Sequence, residues 1–350
     1  MTGNEAIGEG AVQAGCEFYA GYPITPQNEL TAYMAKRMAE ERRVFIQAES
    51  ELAAINMAFG ASAAGVRAMT SSSSPGISLK QEGISYLAAC ELPCVIVNIM
   101  RGGPGLGNIA PSQSDYFQAT KGGGHGDYHC IVLAPSSVQE AFDLMKPAFE
   151  LADLYRNPVY ILTDGMLGQM MEPLLVSGEW LVVSRKNKKP INQLTKPWAL
   201  TGCENRKPNV IKSMYLREGE LEKHNIHLKK KYQEMENNQQ RWEDLFLDDA
   251  RIILVAYGSV ARIAQSVVRR LRKKGKRIGL IRPITLWPFP QKIFKRLAVN
   301  RKRLTFLVIE MSLGQMVEDV KLVVRGRAAV KFFGRAGGGI PSEEEIIRRL

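Results

Sequence analysis

Two carboxylates, Glu49 and Glu51, stand where the stretch VFIQAESELAAINMAFGASAAGVRAMTSSSSPG (residues 44–76) passes from an extended run into a helix. Ser50 between them is a favoured N-cap type, and residues 52–64 are rich in helix formers. In an open parallel α/β sheet, ligands bind outside the carboxyl ends of the strands, so a carboxylate at this handover is placed for proton transfer or for holding a bound group. A Glu in a first helical turn also complements the macrodipole by about 0.3–1 kcal/mol with no chemistry attached. Two more residue types fall at strand ends. Thr25, in GYPITP, offers a hydroxyl on a proline-braced corner, and Arg101, opening RGGPGLGN, offers a fork that matches a carboxylate bidentately. The glycines after Arg101 let a substrate approach the backbone closely. Carboxylate, hydroxyl and guanidinium around one crevice suit chemistry on a small carboxylic acid. Each has a structural alternative: Thr25 as a helix cap with Pro26 at N1, and Arg101 as a surface ion pair.

The elements that must position these residues follow from the pattern of apolar runs. Residues 5–14 read as a helix closed by Gly15, residues 17–20 as a short strand, and residues 26–42 as a second helix. CVIVNIM after Pro93 is the continuous apolar run of a doubly buried parallel strand. A long helix over 136–155 and the strand PVYILTD complete a doubly wound parallel sheet, the product of alternating strands and helices with short links. Beyond residue 175 the alternation dissolves into dispersed Lys, Arg and Pro, with one polar helix over 218–245. It resumes at RIILVAYGS and gives a second, smaller α/β unit in which Trp-Pro-Phe-Pro reads as a turn. The expected division is therefore residues 1–175, a basic connector at 176–249, and residues 250–350.

Charge changes character at the same place. Residues 1–178 carry 10 Lys and Arg against 18 Asp and Glu, and residues 179–350 carry 37 against 17, so the net charge passes from −8 to +20. Such a field favours an acidic or phosphorylated partner, but aromatic residues are not interleaved with the basic ones as a nucleic-acid stacking platform needs. No nucleic acid is expected. No apolar run is long enough to cross a membrane, and MTGNEAIGEG has no signal-peptide core, so the expected location is the cytoplasm. The five scattered cysteines lack the close repeats of iron–sulfur or zinc sites; they read as buried or free thiols, with no metal held here.

Gly-rich stretches invite a nucleotide reading that fails on detail. GGPGLGN follows the fourth strand rather than the first, and its Pro104 lacks an N–H for phosphate; no Walker A motif exists. Longer motifs are more specific. GYPITP, the segment QAESELAAINMAFGASAAGVRAMTSSSSPGISL, VNIMRGGPGLGNIAPSQSDYFQATKGGGHGDY, AYGSVAR, EMSLGQMVEDV and GRAGGGIP resemble, over nearly the whole chain, the α subunit of 2-oxoacid:ferredoxin oxidoreductases. GLGNIAPSQSDY is most similar to the 2-oxoisovalerate (branched-chain oxoacid) subfamily; the 2-oxoglutarate and pyruvate enzymes are near relatives.

The resemblance implies a thiamine diphosphate enzyme: a pyrimidine-binding domain followed by one like the C-terminal domain of transketolases. It implies that Glu51, 14 residues before Gly65, is the activating glutamate that hydrogen-bonds the pyrimidine, with Glu49 as second candidate in the same turn. Thr25 would contact substrate and coenzyme beside Ile24, Arg101 would bind the substrate carboxylate, and Gly102, Gly103 and Asn108 would form a substrate loop. The chain lacks a G-D-G…N-N magnesium–diphosphate motif, and Asp164-Gly165 reads as a turn. A β subunit would then supply the diphosphate and Mg2+ site, γ and ferredoxin-like δ subunits would join it with iron–sulfur clusters on partner subunits only, ferredoxin would take the electrons, and coenzyme A the acyl group. The competing expectations are an E1-β-like subunit feeding lipoamide and a degenerate α/β subunit that only assembles a complex.

Overall fold

The computed structural model describes residues 1–176, 196–300 and 303–350. Its first part runs α1 (Gly3–Gln13), β1 (Phe18–Gly21), α2 (Asn28–Glu40), β2 (Val44–Gln47), α3 (Glu51–Ala63), β3 (Ala68–Ser72), α4 (Ser74–Ala89), β4 (Cys94–Met100), α5 (Tyr116–Thr120), β5 (Ile131–Leu133), α6 (Val138–Asp143), α7 (Met145–Tyr155), β6 (Pro158–Asp164) and α8 (Gly165–Gln169). Its second part runs α9 (Glu220–Asn238), β7 (Trp242–Leu245), β8 (Ile252–Val255), α10 (Gly258–Arg272), β9 (Ile278–Pro283), β10 (Thr285–Trp287), α11 (Gln291–Asn300), β11 (Thr305–Glu310), α12 (Met316–Val324), β12 (Ala329–Gly334) and α13 (Glu343–Ile347).

The strands form two sheets, ordered β10-β5-β6-β4-β3-β1-β2 and β12-β11-β8-β9-β7. Within each, all pairings are parallel except at one edge, where β10 runs antiparallel to β5 and β7 antiparallel to β9. The apolar run 94–100 is buried at every position and pairs with β6 along its whole length, as expected of a strand covered by helices on both faces. Strand β1 lies between β2 and β3, so the order reverses there and the crevice beyond β1 and β3 is the topological switch point.

Several expectations need correction. The helix over 218–245 ends at Asn238, and residues 242–245 form β7 instead; the connector residues 177–195 lie outside the described residues. The helix over 136–155 is two helices, α6 and α7, meeting at Leu144. Trp287, read as part of a turn, ends β10, and its indole stacks on His129 with ring centroids 4.6 Å apart. A proline-rich neighbourhood hid a three-residue edge strand, a position where missing N–H donors are tolerated.

The two sheets are joined by buried polar contacts. Asp164, read as a turn residue, caps α8 through a 3.1 Å bond from Leu167 N and also accepts from Ser259 Oγ at 2.7 Å, at the start of α10. Burial raises its carboxyl above the usual value despite these donors. Gln113 donates to the Tyr257 carbonyl at 2.9 Å and accepts from Met311 N at 3.0 Å, while Tyr116 donates to Asp319 at 2.6 Å. One continuous apolar cluster includes Ile96 and Ile161 of the first sheet and Phe294 and Phe306 of the second part. No helix among the described residues is long and apolar enough to cross a membrane.

Candidate active site

Ser50 initiates α3. Its backbone is extended (φ −160°) and its hydroxyl accepts from Ala53 N at 3.1 Å, so the flanking carboxylates are sent in different directions. Glu49 is exposed to solvent. Glu51, the first residue of α3, is only 5% exposed. Its Oε1 accepts a long 3.4 Å bond from Ser72 Oγ at the end of β3. A Cβ on Gly76, in the first turn of α4, would run into both Ser72 Oγ and Glu51 Oε1; the glycine is what lets the carboxylate seat there. The geometry separates two carboxylates that sequence alone left side by side.

Thr25 does not cap α2. That helix begins at Asn28 after Gln27, with no side-chain cap. Gln27 is fully buried, and its Oε1 accepts from Ser71 Oγ at 2.7 Å and from Thr31 Oγ1 at 3.1 Å. The Thr25 hydroxyl accepts from Asn28 Nδ2 at 3.2 Å and keeps its own proton to donate. Ile24 is half-buried, and its carbonyl accepts from Gln27 N at 3.0 Å.

Arg101 joins the corner to the glycine loop. Nη1 donates to the Thr25 carbonyl at 3.0 Å and Nη2 to the Leu106 carbonyl at 3.2 Å, leaving the buried Nε without a partner. It is not a surface ion pair. Gly102 is buried and bonded to both limbs of its own loop, through Ala110 and Asn108, whereas nothing lies within 4 Å of a Cβ on Gly103. The exposed Asn108 is tied up structurally: Nδ2 donates to the Gly337 carbonyl at 3.0 Å and Oδ1 accepts from Ala110 N at 3.1 Å. The GLGN and GRAGGGIP motifs therefore meet in space.

Sequence reasoning missed five residues here: Asp115, Ser73, Ser74, Asn98 and Lys80. Asp115 accepts from Ser74 Oγ at 2.6 Å and from Asn98 Nδ2 at 2.9 Å, while Ser74 Oγ also accepts from Arg101 N at 3.0 Å. Burial raises the Asp115 carboxyl. Ser73 Oγ and Asn98 Oδ1 are buried without partners. Lys80, fully buried on α4, donates to Thr70 Oγ1 and, at 3.2 Å, to the Ser71 carbonyl. The available signal was that Lys80 is the sole basic residue in 68–100.

Both parts of the chain match known families. Residues 9–243 match "Pyruvate flavodoxin/ferredoxin oxidoreductase, thiamine diP-bdg", and residues 250–346 match "Pyruvate:ferredoxin oxidoreductase core domain II". The class is thus an α/β oxidoreductase subunit with a thiamine diphosphate-binding domain. Among full-length relatives, the ketoisovalerate oxidoreductase subunit VorB of Methanothermobacter marburgensis is 50% identical over 100% of this chain and 96% of its own length. The 2-oxoglutarate synthase subunit KorA of Methanocaldococcus jannaschii is 36% identical over 100% and 98%. The structure of 2-oxoglutarate:ferredoxin oxidoreductase from Magnetococcus marinus superposes with a TM-score of 0.84 at 26% identity, covering all of this chain and 64% of that one. The chain belongs to the 2-oxoacid:ferredoxin oxidoreductase family, as an α-type subunit.

The residues at the switch point have the chemistry to hold polar groups of such a coenzyme. A buried carboxylate with one long hydrogen bond has acceptor capacity to spare. The unpartnered Ser73 Oγ, Asn98 Oδ1 and Arg101 Nε are buried polar atoms of the kind that a polar ligand would satisfy.

Proposed function

We propose that this chain is the pyrimidine-binding subunit of a complex that oxidatively decarboxylates a branched-chain 2-oxoacid to the acyl-CoA and CO2, reducing ferredoxin. The observation that carries the reading is the burial of Glu51, with spare acceptor capacity, at the switch point of the first sheet. Bound thiamine diphosphate would supply the carbon nucleophile and electron sink that make the oxoacid's carboxylate leave. The chain's own contribution is to hold and orient. Glu51 carries the carboxyl group that bonds the aminopyrimidine and exchanges a proton with it. The Thr25 hydroxyl and the half-buried Ile24 border the coenzyme and substrate from the β1 loop. Arg101, through the N–H groups not used on Thr25 and Leu106, offers charge to the substrate carboxylate. Gly102 and Gly103 keep that approach open, and Asn108 fixes the loop from behind.

The division of labour follows from what this chain carries. Residues 1–175 form the pyrimidine-binding domain, 176–249 the connector and 250–350 the transketolase C-terminal-like domain. A β subunit brings the diphosphate and Mg2+ site, γ and ferredoxin-like δ subunits complete the complex, and the iron–sulfur clusters lie on partner subunits. The complex works in the cytoplasm. The branched-chain preference is supported by the 50% identity to a ketoisovalerate subunit against 36% to a 2-oxoglutarate one. The test is methyl viologen reduction by the purified complex with coenzyme A and, in turn, 2-oxoisovalerate, 2-oxoglutarate and pyruvate. The highest kcat/KM is expected for 2-oxoisovalerate; a preference for either of the others overturns the substrate assignment.

A further inference from the structure

Asp115 has no part in the function proposed above, yet it stands where the two parts of the chain meet Arg101. Residues 112–117, which follow the glycine loop, are stitched to the second part. Gln113 donates from its backbone N to the Met311 carbonyl and from Nε2 to the Tyr257 carbonyl, both at 2.9 Å. Gln315 accepts from Phe117 N at 2.8 Å and donates to the Ser114 carbonyl at 2.7 Å, and Tyr116 donates to Asp319 at 2.6 Å. Asp115 faces the other way. Its Oδ2 accepts from Ser74 Oγ at 2.6 Å, at the start of α4, and from Asn98 Nδ2 at 2.9 Å, in β4.

Ser74 carries the contact on to Arg101. A hydroxyl has one proton and two lone pairs. The 2.6 Å bond has the length of a hydroxyl donating to a carboxylate, so Asp115 takes the proton ahead of the Arg101 carbonyl at 3.2 Å. A lone pair then faces the Arg101 N–H, which donates to Ser74 Oγ at 3.0 Å. An isolated antiparallel bridge to Pro111 holds the same residue from the far limb of the loop. The side chain built on this backbone reaches the Thr25 and Leu106 carbonyls at 3.0 and 3.2 Å. A binding group works only where its supports keep it within about 0.5 Å of the productive geometry.

We propose that Asp115 is a positioning residue for the substrate arginine: acting through Ser74, it locks the Arg101 backbone to α4 and to the segment that the second part of the chain clasps. The proposal rests on Arg101 binding the substrate carboxylate, as read above.

The test uses the assembled complex and follows methyl viologen reduction with coenzyme A and 2-oxoisovalerate. Asp115→Ala removes the acceptor and lets Ser74 turn its proton to the Arg101 carbonyl. KM for the oxoacid should rise about tenfold with a smaller change in kcat, while calorimetric titration gives wild-type affinity for thiamine diphosphate. Asp115→Asn keeps an oxygen for the Ser74 proton and should recover most of the KM. Ser74→Ala should match Asp115→Ala, and the double variant should raise KM no further than either alone, because both break one relay. Ser74→Ala is read in place of Asp115→Ala if that variant does not assemble. A wild-type KM in a variant that assembles, or a loss confined to kcat and coenzyme affinity, overturns the proposal. Arg101→Lys separates that result from a failure of the reading beneath it. If Arg101→Lys raises KM, the substrate site stands and only the relay falls. If it does not, Arg101 leaves the substrate site and the proposal falls with it.

Discussion

Arg101 Nη1 donates a 3.0 Å hydrogen bond to the backbone carbonyl of Thr25, so one guanidinium ties the loop after β1 to the loop after β4. Its Nη2 holds the Leu106 carbonyl at 3.2 Å. A lysine's single ammonium cannot span both carbonyls with a fixed fork. Arg101→Lys is therefore expected to raise KM for the oxoacid about tenfold, with a smaller change in kcat. Steady-state dye reduction by the complex reads the split, and an unchanged KM would remove Arg101 from the substrate site.

Glu51 and Glu49 differ by two positions and by near-complete burial against exposure. Glu51→Gln keeps the shape and removes the proton acceptor; oxoacid-dependent dye reduction should fall by about 10²-fold or more. Glu49→Gln should leave turnover unchanged. A complex in which Glu51→Gln retains full activity would instead fit a subunit that only assembles.

Gly76 and Gly60 make a matched pair. Alanine is the better helix former by about 0.5–1 kcal/mol in a helix interior. At Gly60, exposed in α3 with nothing within 4 Å of an added Cβ, the substitution should raise the melting temperature and spare activity. At Gly76 the Cβ would meet Glu51 Oε1 and Ser72 Oγ, and the displaced carboxylate should weaken thiamine diphosphate binding and turnover. Calorimetric coenzyme titration of the Gly76→Ala complex, showing wild-type affinity, would contradict this.

Glu91 fastens α9 to the end of α4, accepting from His227 Nε2 at 3.1 Å and Lys231 Nζ at 3.2 Å. Burial pushes its carboxyl up, but the Lys231 charge and the His227 bond outweigh that and hold it below 4.5. A carboxyl depressed in the fold contributes stability above its unfolded value, lost as pH falls through the folded one. Glu91→Gln should thus speed amide exchange across residues 220–238 at pH 7, with the difference from wild type shrinking below pH 4.5. A difference that persists in acid would mean that packing, not this charge, holds the helix.

The strand and helix alternation of residues 17–164 was legible because each buried strand carries its own apolar run and each link its own turn residues. Ser50 as the cap of α3 was equally local. Four things were not. The cap of α2 moved from Thr25 to Gln27 because Gln27 is held by Ser71 and Thr31 in a buried network, a tertiary cause invisible in GYPITP. Strands β7 and β10 exist only because β9 and β5 offer them an edge. Arg101 was read as a free fork, and only coordinates show it partly engaged by Thr25 and Leu106. Lys80 and Asp115 went unnoticed because burial, not spacing, makes them unusual.

Strand β10 has a consequence for how the protein is made. The first sheet is finished at one margin by residues 285–287, which close over β5 from the far side of the chain. A ribosome that has released every other strand of that sheet still has more than a hundred residues to synthesise before the last one emerges. Until then β5 presents a bare margin to the cell, a spot where chaperones or a neighbouring nascent chain would dock first.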